Sequence, residues 1–501
     1  MELNVLQWLE NSAEKFADKT AYCDDDGAIT FSQVRDNAKR IGSALASKIK
    51  KGGAVAVMSG RHIHTPVIFL GAVYAGCFYA PMDAAQPTAR LNSIAQTLRP
   101  DIIIADDECI DTARQLDFDG EIVNVAELLK SDIDESALAK IRREATATDP
   151  LYVIFTSGST GKPKGVITSM QSLMLYITAY CEVMGIDSSD VLGNQSPLDY
   201  IAAIRDIYLP LLTGASTYII PKQYFSMPAK LFDALCDRKI TSVGWSVSVF
   251  TIAVKMGAFE HTAPQYLTKI CFSGSVMPCS VLREWQLNLP NAKFVNQYGP
   301  TEATASCTYY EVDHTVSDDE VLPIGVPYKN YNVFLLKEDN TPANVGEIGE
   351  ICVSGPILAL GYYNNREMTE KSFIQNPLNS AFDERIYKTG DLGQLREDGL
   401  LEFKGRRDRQ IKHLGHRVEL SEIEAQAAKI GDISECCALY YKEKELIYLF
   451  YSGEATAKEI AVHMRAVLPG FMVPRKMIRL DEMPHLHNGK IDMQALTLQM
   501  K

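Results

Sequence analysis

Val5, Leu6, Leu9, Phe16 and Ala17 recur at near-helical spacing, which predicts a helix within residues 3–21. The turn-rich run DDDGA comes next. ITFSQVRDNAKRIGSALASKI then reads as a short strand, a helix cap at Ser32 and an amphipathic helix. AVAVMSG and VIFLGAVYAGCFYAPMD continue an alternation of buried strand and helix, the pattern of a parallel sheet covered by helices. KITSVGWSVSVF and KICFSGSVMP keep that rhythm further on. From 322 to 405 the strands shorten and Gly, Asn and Asp turns intervene, as in NVFLLKEDNTPANVGEIGEICVSG, which favours an antiparallel sheet or barrel. No internal repeat or low-complexity tract is present.

A run of charge, GRRDRQIKHLGHR at 405–417, then breaks the pattern, and the stretch beyond it is long enough for a small α+β domain. The expected architecture is α/β. A large core domain, 1–407, combines mixed and parallel sheets with helices and a small β-barrel-like subdomain, and a small mobile α+β lid domain occupies 408–501. The hinge is placed at or near Asp408.

Length supports this division, because 501 residues exceed one ordinary core. Hydrophobic content of 46% and charged content of 23% are those of a soluble globular protein, and a net charge of −13 opposes nucleic-acid or anionic-membrane binding. No apolar run reaches the roughly 20 residues of a membrane span, and no basic segment opens the chain, so a cytoplasmic protein is expected. Eleven cysteines without paired spacing predict neither disulfides nor zinc. Adjacent Cys436 and Cys437 read as core, and the pairs His62/His64 and His485/His487 lack companions at ligand spacing.

The candidate chemistry centres on YVIFTSGSTGKPKGVI at 152–167. A buried strand feeds a loop whose Gly158, Ser159, Thr160 and Gly161 N–H groups can approach an anion, with Thr156, Ser157, Lys162 and Lys164 beside them. A polyphosphate suits this loop; the alternative is a solvated surface turn. The P-loop template fails, because two residues separate Gly158 from Gly161 and Pro163 comes directly after Lys162. NQYGPTEAT at 296–304 adds an aromatic Tyr298 for a purine face and Glu302 as a hard oxygen for Mg²⁺, with Asn296, Gly299 and Thr301 around them. YKTGDLG places Asp391 where a carboxylate could accept ribose hydroxyls. Lys404, Arg406, Arg407, Arg409, Lys412 and Arg417 form a basic island in which Arg407 and Arg409 read as solvated, and Lys490 stands in the turn HNGKID.

Together with Pro81–Asp83 and GEICVSGPILALGYY, these segments resemble the AMP-forming adenylating enzymes: acyl-CoA synthetases, luciferases and the adenylation domains of non-ribosomal peptide synthetases. YGPTEAT, GHRVEL and NGKID are most similar to stand-alone amino-acid adenylation domains and D-alanine–carrier protein ligases. Leu360, where an Arg is common, is a minor departure. The resemblance implies ATP and Mg²⁺, attack of a carboxylate on the α-phosphate, and transfer of the acyl group to the phosphopantetheine thiol of a separate carrier protein, with coenzyme A as second choice. It casts Lys490, Glu302 and Thr156 as catalytic, Glu302 as the Mg²⁺ ligand, Asp391 and Arg406 as ribose ligands, Tyr298 as adenine border and Asp408 as hinge. Gly415 resembles the glycine past which a pantetheine arm runs.

For the acid, the resemblance carries over Tyr200, Ile201, Ala202, Arg205, Trp245, Cys271, Ser273, Gln297, Ala305 and Ser306 as pocket residues. Ile201 stands where amino-acid-activating relatives place an Asp for the α-ammonium. The acid is therefore expected to lack an α-amino group, or to use Asp199, two residues back on an extended strand. Trp245 argues for a small substrate, and Arg205 could meet a second carboxylate or hydroxyl, snorkel outward or pair with Asp206.

Overall fold

The computed structural model describes residues 4–158, 162–486 and 491–500. The first helix is Val5–Lys15, capped by the Asn4 side chain accepting from the Leu6 N–H. It ends earlier than periodicity predicted because Thr20–Cys23 is drawn into a sheet, pairing in parallel with Ser216–Ile219. The second helix, Phe31–Ala46, is capped by Thr30 rather than Ser32: Thr30 and Gln33 form a reciprocal capping box, and the Ser32 hydroxyl donates to the Ala17 carbonyl.

Two large sheets carry the first part of the chain. One has seven strands, with Phe78–Pro81, Ala54–Met58, Ile102–Ala105 and Glu121–Asn124 running parallel; the other has nine, with a parallel centre that includes Ser242–Ser246, Lys269–Ser273 and Lys293–Tyr298. One continuous apolar core joins them through the helices Phe31–Ala46, Thr65–Tyr74, Met170–Met184 and Ile204–Thr213. A five-stranded antiparallel sheet comes after them, built from Asn332–Leu336, Ile348–Ser354, Phe373–Gln375, Arg385–Leu395 and Leu401–Arg406.

Beyond it the hairpin Gln410–His413/His416–Glu419 leads into a three-stranded sheet, Ile433–Tyr441, Leu446–Gly453 and Lys476–Leu480, with helices Leu420–Ala427 and Ala457–Val467. This unit has its own apolar core around Ile423, Leu449 and Met464. Cys437 is buried in a second cluster with Leu439 and Phe450, and Cys436 is half-buried; all eleven cysteines are free. Among the described residues no helix is long and apolar enough to cross a membrane, and no His/Cys/Asp/Glu group could hold a metal. His62 pairs with Asp106 and His485 with Glu435, while His487 lies outside the described residues.

Candidate functional site between the large sheets and the terminal unit

The strand Pro150–Thr156 doubles back antiparallel into Lys164–Ser169, with Thr156 opposite Lys164, so the loop joins two strands where a P-loop would enter a helix. A Cβ on Gly158 would lie 2.1 Å from the Lys162 carbonyl oxygen, so the turn requires glycine. Lys162 is exposed. Ser159, Thr160 and Gly161, together with Lys490, lie outside the described residues.

The loop is met by the terminal unit. The Gly158 N–H donates to Glu422 Oε2 at 3.1 Å, the Ser157 hydroxyl donates to the Arg417 carbonyl at 2.8 Å, and Arg90 holds the other Glu422 oxygen at 2.9 Å. Arg90 Nε reaches Gln86 Oε1, and Gln86 in turn donates to Asp199, so a chain of hydrogen bonds runs from the loop to the start of the cavity wall.

Glu302 sits in the short turn Thr301–Ala303 and is fully buried. Arg417 Nη1 donates to both of its oxygens at 2.9 and 2.7 Å, the Tyr362 hydroxyl donates to Oε1 at 2.7 Å, and Lys164 lies 3.8 Å away. Burial opposes the charge on Glu302, yet Arg417, Lys164 and Tyr362 outweigh it and hold the carboxyl at about 2. Burial and the Arg417 charge pull Lys164 down to about 8. Asp391, paired in register with Arg406, accepts from Arg406 and from the Tyr298 hydroxyl, and Arg406 also grips both oxygens of Asp408 at 2.6 and 2.8 Å. Lys412 Nζ stands 5.9 Å from the centre of the Tyr298 ring.

Between these groups lies a small cavity of about 80 Å³, room for a handful of waters. Tyr200, Ile201, Ala202, Arg205, Ser273, Ala305 and Ser306 line it from the large-sheet side, with Gly299 and Thr301. Lys412, Leu414, Gly415, His416 and Arg417 close it from the hairpin. Leu414 and Gly415 both have positive φ, 52° and 82°, which makes a tight two-residue turn, and Gly415 is set against Ser246. Thr304 and Ala305 are also held at positive φ, 47° and 72°, on the opposite wall. His416 stacks on Phe471 at 3.9 Å and meets Tyr200 edge-on at 5.4 Å; burial and Lys222 pull its imidazole down to about 4.

Several sequence expectations land elsewhere. Trp245 is fully buried against Phe225 and Phe250, away from the cavity, with Nε1 donating to the Gly193 carbonyl. Its neighbour Gly244 faces inward instead, since a Cβ there would lie 2.9 Å from Arg205 Cζ. Cys271 and Gln297 stand behind Arg205 and bond it, and Asn296 donates to the Pro323 carbonyl. Asp199 belongs to a turn rather than an extended strand, and Ile201–Ala203 is a single 3₁₀ turn, so period-two alternation does not apply. Asp199 accepts from Gln86 at 3.1 Å and does not line the cavity; burial and Asp83 push it up to about 6. Arg205 neither snorkels nor hydrogen-bonds Asp206, which accepts from Asn194. Arg407 pairs with Glu350, and Arg409 pairs with Glu424 and donates to the Ala438 carbonyl, so neither is simply solvated. Arg417, Glu422, Arg90, Tyr362 and Gly244 are site residues to which the sequence gives no role; the signals are the place of Arg417 in the basic island and in GHRVEL and that of Tyr362 in GEICVSGPILALGYY.

The hairpin and helix of the terminal unit thus meet the turn that carries Glu302 and the described end of the 156–164 loop. A family model described as AMP-binding enzyme matches residues 9–363. The chain belongs to that family. It is similar to tyrocidine synthase 1 of Brevibacillus parabrevis, 28% identical over 98% of this chain and 45% of that protein, so the chain spans less than half of that relative. It is also similar to a D-alanine–D-alanyl carrier protein ligase of Bacillus cytotoxicus, 30% identical over 99% of both chains. In fold it is like the artificially fused adenylation-PCP di-domain NRPS NpsA-ThdA from Klebsiella oxytoca, with a TM-score of 0.82, 20% identity, and coverage of 96% of this chain and 94% of that one.

Proposed function

We propose that this AMP-binding enzyme is an ATP-dependent, AMP-forming ligase that converts a small carboxylic acid to its acyl-adenylate and passes the acyl group to the phosphopantetheine thiol of a separate carrier protein. The observation that carries this reading is a single cavity bounded on one side by the Glu302 turn and on the other by the hairpin tip Leu414–Arg417. Membership of the AMP-binding family and the likeness to carrier-protein ligases support it.

The residues suit two half-reactions. In the first, Asp391 and Arg406 would orient the ribose, the 156–164 loop would hold the phosphates, and Lys490 would bridge the two anions that must meet. In the second, rotation about Asp408 would withdraw Lys490 and bring in the hairpin, with residues 408–501 moving as one body. The contacts between the loop and the terminal unit suit the second arrangement. Glu422 occupies the Gly158 N–H, an anion's seat, and Arg417 occupies Glu302, a cation's seat. Magnesium is the proposed companion of ATP, but with Arg417 across both oxygens Glu302 offers it no open position in this arrangement. The Leu414–Gly415 turn leaves backbone rather than bulk beside Ser246, which suits passage of a thin thiol arm.

A hydroxylamine-trapped screen over amino, hydroxy and simple acids tests the reading: at least one acid should give a hydroxamate with matching AMP and pyrophosphate. Coenzyme A as acceptor is the second reading, separated by supplying each thiol alone.

A further inference from the structure

Arg205 is 2% exposed and lines the cavity. Its Nη2 donates to the Gly244 carbonyl at 2.8 Å, and its Nη1 to Gln297 Oε1 at 3.2 Å and Cys271 Sγ at 3.8 Å. The Tyr180 ring centre is 5.5 Å away, and Nε has no hydrogen-bond partner among the described residues. Every one of these partners is neutral. The adjacent carboxyl of Asp206 accepts from Asn194 at 2.7 Å instead.

The buried carboxyl of Asp206 offsets part of this charge through space, but the two side chains share no hydrogen bond or ion pair among the described residues. Arg205 stands in the first turn of Ile204–Thr213, the end of a helix that favours anions, and Ala203 caps that end without a side-chain hydrogen bond. A buried cation without a counter-ion costs several kcal/mol, a burden normally met by a paired carboxylate. Yet the seat is shaped for it: a side chain at Gly244 would collide with the guanidinium. At Ile201 the same cavity presents hydrocarbon.

We infer that Arg205 is the specificity-determining cation for a short acid that carries a second carboxylate at its far end and no α-amino group, the malonate and succinate class. The inference rests on the adenylation reading of this site. The far carboxylate would pair with the guanidinium where Arg205 lines the cavity, while the near carboxylate faces the nucleotide side. Ile201 leaves an ammonium unpaired and so excludes amino acids of the same length.

The test measures hydroxamate formation with ATP for matched pairs, succinate against butyrate and malonate against propionate, with aspartate and D-alanine alongside. The native enzyme should favour each dicarboxylate by at least about tenfold in kcat/KM. Arg205→Met should lower the succinate-to-butyrate ratio at least about tenfold, and Arg205→Lys, which keeps the charge without the planar fork, should retain the preference with a raised KM. Native preference for butyrate, propionate or D-alanine would overturn the inference while leaving the adenylation reading intact. So would an Arg205→Met enzyme that loses all acids equally. If no acid yields hydroxamate, or ATP gives ADP and orthophosphate, the adenylation reading fails and the inference with it.

Discussion

Two arginines are withdrawn from solvent at opposite ends of one cleft, and they are treated differently. Arg417 comes from the hairpin and lies across both oxygens of a fully buried glutamate, whereas Arg205 comes from a helix of the large core and touches only a carbonyl, an amide oxygen, a thiol and a ring. Neither Nε has a hydrogen-bond partner among the described residues, so the contrast is the hydrogen-bonded carboxylate. Where the chain supplies its own opposite charge, the contact is an ion pair that the proposed domain movement would open. Where the neighbouring acid, Asp206, is turned to Asn194 instead, the inference assigns the pairing to a ligand's charge. On the proposed reading, the nucleotide end and the acid end differ in this respect.

The largest effect is expected at Lys490. Lys490→Ala should reduce acyl-adenylate formation by orders of magnitude while sparing thioester formation from supplied acyl-adenylate. Equal loss of both steps, measured separately, would remove the exchange of Lys490 for the hairpin. Breaking the ion pair comes next. Arg417→Met strands the buried Glu302 carboxylate, which should destabilise the docked arrangement by about 3–5 kcal/mol in urea unfolding, whereas Arg205→Met leaves Asp206 its hydrogen bond from Asn194 and should cost less. Comparable losses in the two variants would erase the contrast.

The sequence made one end of this contrast visible and hid the other. Glu302, Asp391 and the 156–164 loop lie in short motifs whose local turns predict exposed chemistry. Arg417 and Glu422 act across an interface, and nothing in GHRVEL says which distant residue the hairpin will meet. The Trp245 expectation failed by one residue, which in a strand reverses the face, so Gly244 took the inward position. Asp199 failed for a different reason: the chain there is a turn that runs into 3₁₀ geometry, and alternation holds only for extended backbone. The alternating strand and helix pattern and the antiparallel shift after 322 were legible because buried faces demand them. The strand Thr20–Cys23 was missed because it is only four residues long and, besides its neighbour Ala28–Thr30, pairs with Ser216–Ile219 far along the chain.

Smaller effects sharpen the nucleotide end. If Asp391 holds ribose hydroxyls as well as Arg406, 2′-deoxy-ATP should be a poorer substrate than ATP, with the penalty shrinking in Asp391→Asn. An unchanged penalty would mean the carboxylate serves Tyr298 and Arg406 alone. The smallest effect concerns His416. Its folded value of about 4 is depressed below the usual 6.5, so the unfolded chain binds more protons between those values. Its contribution is present above pH 6.5 and lost as pH falls toward 4. His416→Phe should keep the stack on Phe471 and flatten the fall in Tm over that window; an identical fall would place the pH dependence elsewhere.

The most direct test of the proposed chemistry is the product of ATP in a single turnover with a small acid and hydroxylamine. Adenylation predicts AMP, pyrophosphate and acyl hydroxamate in equal amounts. Orthophosphate and ADP without hydroxamate would contradict it.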